Sequence, residues 1–220
     1  YVLDSVRNGY SVHDIAIRPD VVDGELAVIA RSCDSLWQLW DTCPSVEQKL
    51  RLLKASDGRC LECAELGQHL REFACRMVRF AAPTVLIDVA ERHARGEATD
   101  EELAREREET RKRLMYGAAV GLMKGYTTTE KLKASLRWLA CHASAPTAFG
   151  AAESVTLTIL ENAQLVWPSF RRSLQLPTPP KTADQETARR DVAEILGIHL
   201  RIAVGNPFRR LATPAVVTRV

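Results

Sequence analysis

No apolar run in this 220-residue chain approaches the roughly twenty residues that a helix needs to cross a bilayer, so no membrane role is expected. No charged-then-apolar leader is visible either. The chain opens on Tyr1 rather than methionine, so a missing leader decides nothing about targeting. Six cysteines are too few for the disulfide framework of a small secreted scaffold, which points to buried thiols in a reduced, cytoplasmic setting. A net charge of +2 is too small to argue for nucleic acid by itself, and the lack of aromatics interleaved with the basic residues counts against such a partner. There is no Gly-x-Ser-x-Gly elbow, no His-Glu-x-x-His and no glycine-rich phosphate loop, so catalysis finds no support. No β-rich region and no internal repeat emerges.

What is present is an ordinary globular composition, 46% apolar and 26% charged, in a chain long enough to bury a core. The clearest helix grammar runs from Leu70 to Met123. Leu70, Phe73, Ala74, Met77, Val78 and Ala81 make one apolar stripe, with Arg71, Glu72, Arg76 and Arg79 turned to solvent. Pro83 suits the first turn of a new helix, expected to bury Val85, Leu86, Val89 and Ala90 and to end at Gly96 in the left-handed conformation. Thr99 to Glu102 reads as a capping box. Behind it, Glu101/Arg105, Glu108/Lys112 and Glu109/Arg113 are spaced as i,i+4 ion pairs on a solvated helix face.

The rest of the chain is also helical in pattern. Trp37 and Trp40 belong to a short apolar helix, and paired tryptophans of this kind either anchor a core or form an exposed interface. Ser45 caps the following helix, Gly125 ends the long one, and Thr127 with Glu130 opens another over Leu132, Leu136, Leu139 and Ala140. Ala145 to Gly150 reads as a loop. Val155 to Val166 reads as a helix stopped by Trp167-Pro168, although alternating Thr156 and Thr158 also fit a strand. Asp184 caps a last helix, and Gly205-Asn-Pro-Phe208 is its stop. The fold class expected is all-α, an irregular multi-helix bundle of capped amphipathic helices. It divides into an N-terminal arm (1–32), a helical core (33–175), a proline-rich linker (176–183), and a C-terminal helix with its stop (184–220) packed on the core.

Two chemical constellations stand out. Cys60 and Cys63 have the spacing of half a zinc site, with His69 and Cys75 as further candidate ligands. If the stretch is one helix, His69 points away from Cys60, and about 18 Å of axis separates Cys63 from Cys75. Closing the site then needs a break near Gly67 or ligands from elsewhere. The arginine pairs at 171–172, 189–190 and 209–210 would form an anion patch if the last helices bring them together. Residues 9–29 resemble a helix-turn-helix in outline, but Pro19 sits near the turn and the second helix is acidic where phosphates would lie.

The strings Leu70-Arg-Glu-Phe-Ala-Cys-Arg76, Val89 to Arg107 and Ile202 to Arg209 resemble a group of uncharacterised bacterial proteins, mainly of planctomycetes. The likeness spans roughly Ser45 to Arg209, and Gly-Asn-Pro-Phe is its most specific part. The chain departs from that pattern at Arg210, where the group has proline, and it stops where the others run on into further helices. The resemblance implies a helical fold and carries no mechanism.

Together these features lead to a non-catalytic helical interaction or scaffold protein with a protein partner. The alternatives are a structural zinc protein and a nucleic-acid-associated module. The residues expected to meet a partner are Trp37, Trp40, Glu108, Glu109, Arg113, Asn206, Phe208 and Arg209.

Overall fold

The computed structural model describes residues 28–29, 31–33, 36–43, 45–55, 64–83, 85–125, 127–180 and 184–208. The helix-turn-helix-like stretch, Cys60, Cys63, Arg209 and Arg210 lie outside these residues, apart from Val28 and Ile29 at the edge of the first. The described residues form helices and no strands: α1 (Leu36–Thr42), α2 (Val46–Ala55), α3 (Ala64–Ala81), α4 (Asp88–Ala94), α5 (Asp100–Lys124), α6 (Thr128–Arg137), α7 (Leu139–Ala143), α8 (Ala148–Glu161), α9 (Ala163–Ser173) and α10 (Gln185–Val204).

Helix α3 is the hub. Leu70, Phe73, Ala74, Met77 and Val78 are buried, as their spacing requires, and α8, α10, α9, α4 and α7 all pack on it. Arg71 breaks the expectation. It was placed with the solvent-facing side chains, yet it is 2% exposed. Its guanidinium donates to the carbonyls of Ala143 (2.8 Å) and Ala145 (2.9 Å), so it satisfies the end of α7 and the turn that follows.

Most of the caps form as the residue types dictate. Thr99 and Glu102 exchange side-chain and backbone bonds (2.9 and 3.2 Å), and Thr127 with Glu130 does the same. Asp184 accepts from the amide of Thr187 at 2.7 Å. Gly96, Gly125 and Gly205 all take positive φ at helix ends.

Four local expectations are corrected. Pro83 does not begin α4, which starts at Asp88; Ile87 is buried and Leu86 is 72% exposed. Arg79 sets that start, gripping Glu91 through both carboxylate oxygens (2.8 and 2.7 Å) and reaching Asp88. Residues 145–150 are not all loop, because Thr147 caps α8 from its side chain. The apolar segment 155–166 is helical but broken at Asn162, and Pro168 lies within α9 rather than ending it. Asn162 turns its amide to the Thr158 carbonyl (2.7 Å) and accepts from Ser135 (2.9 Å), which diverts the backbone there.

Helix α10 packs on α9, α3 and α2. Arg189 reaches Glu47 of α2 at 2.7 Å. Asp191 accepts from Arg171 (2.6 Å) and from the Trp167 indole, while Arg171 also holds the Pro177 carbonyl (2.6 Å).

Candidate functional site

Helix α5 leaves the bundle as its most exposed element. Its 25 residues span about 37 Å at 1.5 Å per residue. Among its described residues Leu103 and Gly121 are buried, and Glu102, Glu106, Glu108, Thr110, Leu114 and Ala118 are half-buried. Its principal neighbours are the short helices α4 and α7. Met115 and Tyr116 stand 53% and 76% exposed on its distal half.

Charge is segregated along the same helix. Asp100 to Glu109 holds six carboxylates and two arginines, whereas Thr110 to Lys124 holds four cations and no carboxylate. Acid at the start and base further on complement the helix dipole. Adjacent turns are also paired: Glu108 with Arg111 (2.9 Å) and Lys112 (3.7 Å), and Glu109 with Arg113 (3.1 Å). Glu108, Glu109 and Arg113 therefore sit on a solvated face, each paired with a neighbour on its own helix.

Two adjoining clefts flank the base of α5. One, of about 800 Å³, lies between the start of α3, the end of α4 and the α7–α8 turn; Gln68, Arg71, His93, Thr99 and Asp100 are on its walls. The other, of about 500 Å³, runs along α5 past Leu103, Ala104, Arg107, Glu108 and Arg111, with Ser144 and Pro146 as the opposite wall. Asp100 and Pro146 border both.

The chemistry of the larger cleft is already committed to structure. Burial pulls the Arg71 guanidinium below its usual value, and three carbonyls accept hydrogen bonds from it, Pro146 at 3.5 Å being the third. His93 Nε2 meets Asp100 at 2.8 Å, while its Nδ1 is buried without a partner among the described residues. A proton relay through that ring into the cleft would need the second nitrogen open to the cleft, and here it is enclosed.

Other residues expected to meet a partner are used internally. Trp40 is fully buried and Phe208 is 3% exposed. The Trp40 indole donates to the Gly205 carbonyl (3.0 Å), the Phe208 ring meets it edge-on at 5.9 Å, and Asn206 accepts from the Phe208 amide (3.1 Å). Gly-Asn-Pro-Phe is thus a docking turn for α1, and Trp40 and Phe208 present nothing to a partner. The side chain of Trp37 and all of Arg209 lie outside the described residues.

Of the candidate zinc ligands, Cys60 and Cys63 lie outside the described residues. His69 is half-buried, and Cys75 is a core thiol pushed up to about 12, first by burial and then by Glu91. Among the described residues no three His, Cys, Asp or Glu side chains converge. Of the arginine pairs, Arg171 serves Asp191 and Arg189 serves Glu47, while Arg209 and Arg210 lie outside the described residues.

Comparison with protein-family models, with curated proteins and with solved structures finds no match.

Two arrangements had no signal in the sequence. Lys49 is fully buried; its ammonium donates to the Trp40 carbonyl and lies 4.8 Å from the indole ring centre. The residue four after Trp40 is Pro44, which has no N–H to give, so the lysine supplies the missing donor. Ser173 contacts His199 Nε2 at 2.8 Å, which has the look of a nucleophile and its base. The hydroxyl donates instead to the Phe170 carbonyl (2.6 Å), and the ring tilts against Phe80 (5.2 Å), so the pair closes the α9–α10 seam. No helix among the described residues is long and apolar enough to cross a membrane.

Proposed function

We propose that the protein is a non-catalytic helical scaffold that docks a protein partner along α5. One observation carries this reading. A 25-residue helix projects with most of its surface in solvent and with Met115 and Tyr116 uncovered, although most apolar side chains of their size in the described residues find a place in the core. The charged first half of α5 is steadied by its own ion pairs one turn apart, while Met115 and Tyr116 beyond it leave an apolar flank for a partner. Among the described residues the thiols of Cys33, Cys43, Cys75 and Cys141 are unbridged and buried, which accords with a cytoplasmic role. The Leu70–Arg76, Val89–Arg107 and Gly-Asn-Pro-Phe strings further support kinship with the uncharacterised bacterial group they resemble.

The test is a photoreactive apolar residue in place of Met115, with the same residue at exposed Glu194 of α10 as control. Irradiation in cells is expected to give a discrete heavier species from position 115 and none from 194. Equal labelling at both, or none at either, would overturn the docking reading.

A further inference from the structure

We propose that the occupant of the groove beside α5 is a second copy of the chain, its own α5 laid antiparallel in a two-fold pair. This rests on α5 being a docking face and names what docks there. Ala104, Glu108 and Arg111 line the groove, and Met115 stands one turn beyond Arg111, in contact with it at 3.5 Å. The spacing 104, 108, 111, 115 is four, three, four, the 3.5-residue seam that keeps one helix face against another.

An antiparallel two-fold pair is self-complementary only if the seam reads the same from both ends with partners exchanged. This one does. With the axis between Glu109 and Thr110, Met115 of each copy falls on Ala104 of the other, a large side chain on a small one. Glu108 of each copy falls opposite Arg111 of the other, a contact of opposite charges. Glu106 and Glu108 of each copy fall opposite Arg113 and Arg111 of the other, with Arg107 opposite Lys112 the one like-charged match, whereas a parallel pair in register would set like charges side by side. Glu108 and Arg111 are already paired within their own chain at 2.9 Å. Their cross-pairing therefore exchanges partners, so the charges set register and direction while Met115 in the groove supplies the attraction.

The experiment is sedimentation velocity of the purified chain over a wide concentration range, beside mild oxidation of an Ala104→Cys, Met115→Cys variant. A monomer–dimer equilibrium is expected, with Met115→Ser raising the dissociation constant about tenfold. Glu108→Arg alone should weaken the dimer similarly, and adding Arg111→Glu should restore it. The double cysteine variant should form a covalent dimer. Its two thiols are eleven residues apart on one helix, about 16 Å, so they cannot close within a chain. Ala104→Cys alone should not link, because antiparallel copies keep those positions apart. A monomer at every concentration with no covalent dimer overturns the self-pairing. If position 115 then still captures another protein, docking stands and only the second copy is wrong; if it captures nothing, both fall.

Discussion

The indole N–H of Trp40 donates to the carbonyl of Gly205 at 3.0 Å, joining residues 165 positions apart. That bond fastens α1 to the end of α10. Gly205 at φ +69° turns its chain so that Phe208 can cover the other side of the ring. Lys49 closes the third side by satisfying the carbonyl of Trp40 itself.

Trp40→Phe removes the donor and leaves a void beside Phe208. It is expected to cost about 2 kcal/mol, combining a lost hydrogen bond with a partial cavity. Phe208→Ala should cost about 3 kcal/mol. Urea unfolding reads both. A loss no larger than that of an ordinary surface substitution would mean that the Gly205–Phe208 turn is not fastened to α1.

Burial, with Arg201 nearby, lowers Lys49 from 10.5 to about 8. The folded chain releases this proton near pH 8, while the unfolded chain holds it to about 10.5. Between those values the unfolded state binds more protons, so this group's contribution to stability rises with pH. Cys75 acts the other way above pH 9, since burial favours its neutral thiol. The difference between wild type and Lys49→Met isolates the lysine and should move in favour of wild type from pH 8 upward. A difference that stays flat with pH would place the ammonium in water.

His199 is lowered from 6.5, by burial first and then by Arg76. Its effect is absent above that pH and becomes a penalty below it, as the unfolded ring takes a proton that the folded one resists. His142 acts in the same sense. Stability should fall as pH drops below 6.5, and His199→Gln should lessen that slope without abolishing it. Identical acid limbs for the two proteins would contradict the buried, neutral ring.

Arg71→Met strips the donors from the carbonyls of Ala143 and Ala145 and is expected to cost about 3 kcal/mol by thermal or urea unfolding. Arg71→Lys should rescue little, since an ammonium lacks the planar fork that spans two carbonyls. Full rescue by lysine would reduce the arginine's role to its charge.

Much of this architecture was legible because it is written in local chemistry. The α3 stripe, the boxes at Thr99 and Thr127, the Asp184 cap and the glycine stops at 96, 125 and 205 depend on neighbours within four residues. The failures share a cause as well. Arg71 looked like a solvent residue because the carbonyls it serves are more than seventy positions away. Leu86 and Ile87 exchanged places because Arg79 fixes where α4 starts, a tertiary grip that no periodicity reveals. Trp40 could anchor a core or an interface on sequence grounds, and the decision came from Gly205 and Phe208 at the far end. In α5 the ion pairs at 108–112 and 109–113 were readable, but the exposure of Met115 and Tyr116 was not, since it depends on which helices fail to reach them.

The central claim is that the distal face of α5 is spare, unused by the chain's own fold. Equilibrium unfolding of a Met115→Ser, Tyr116→Ser variant in dilute solution tests it most directly. Stability within about 0.5 kcal/mol of wild type is the expected result, as for surface positions. A loss of about 2 kcal/mol or more would show that these side chains belong to the core, and α5 would no longer be a face left open for a partner.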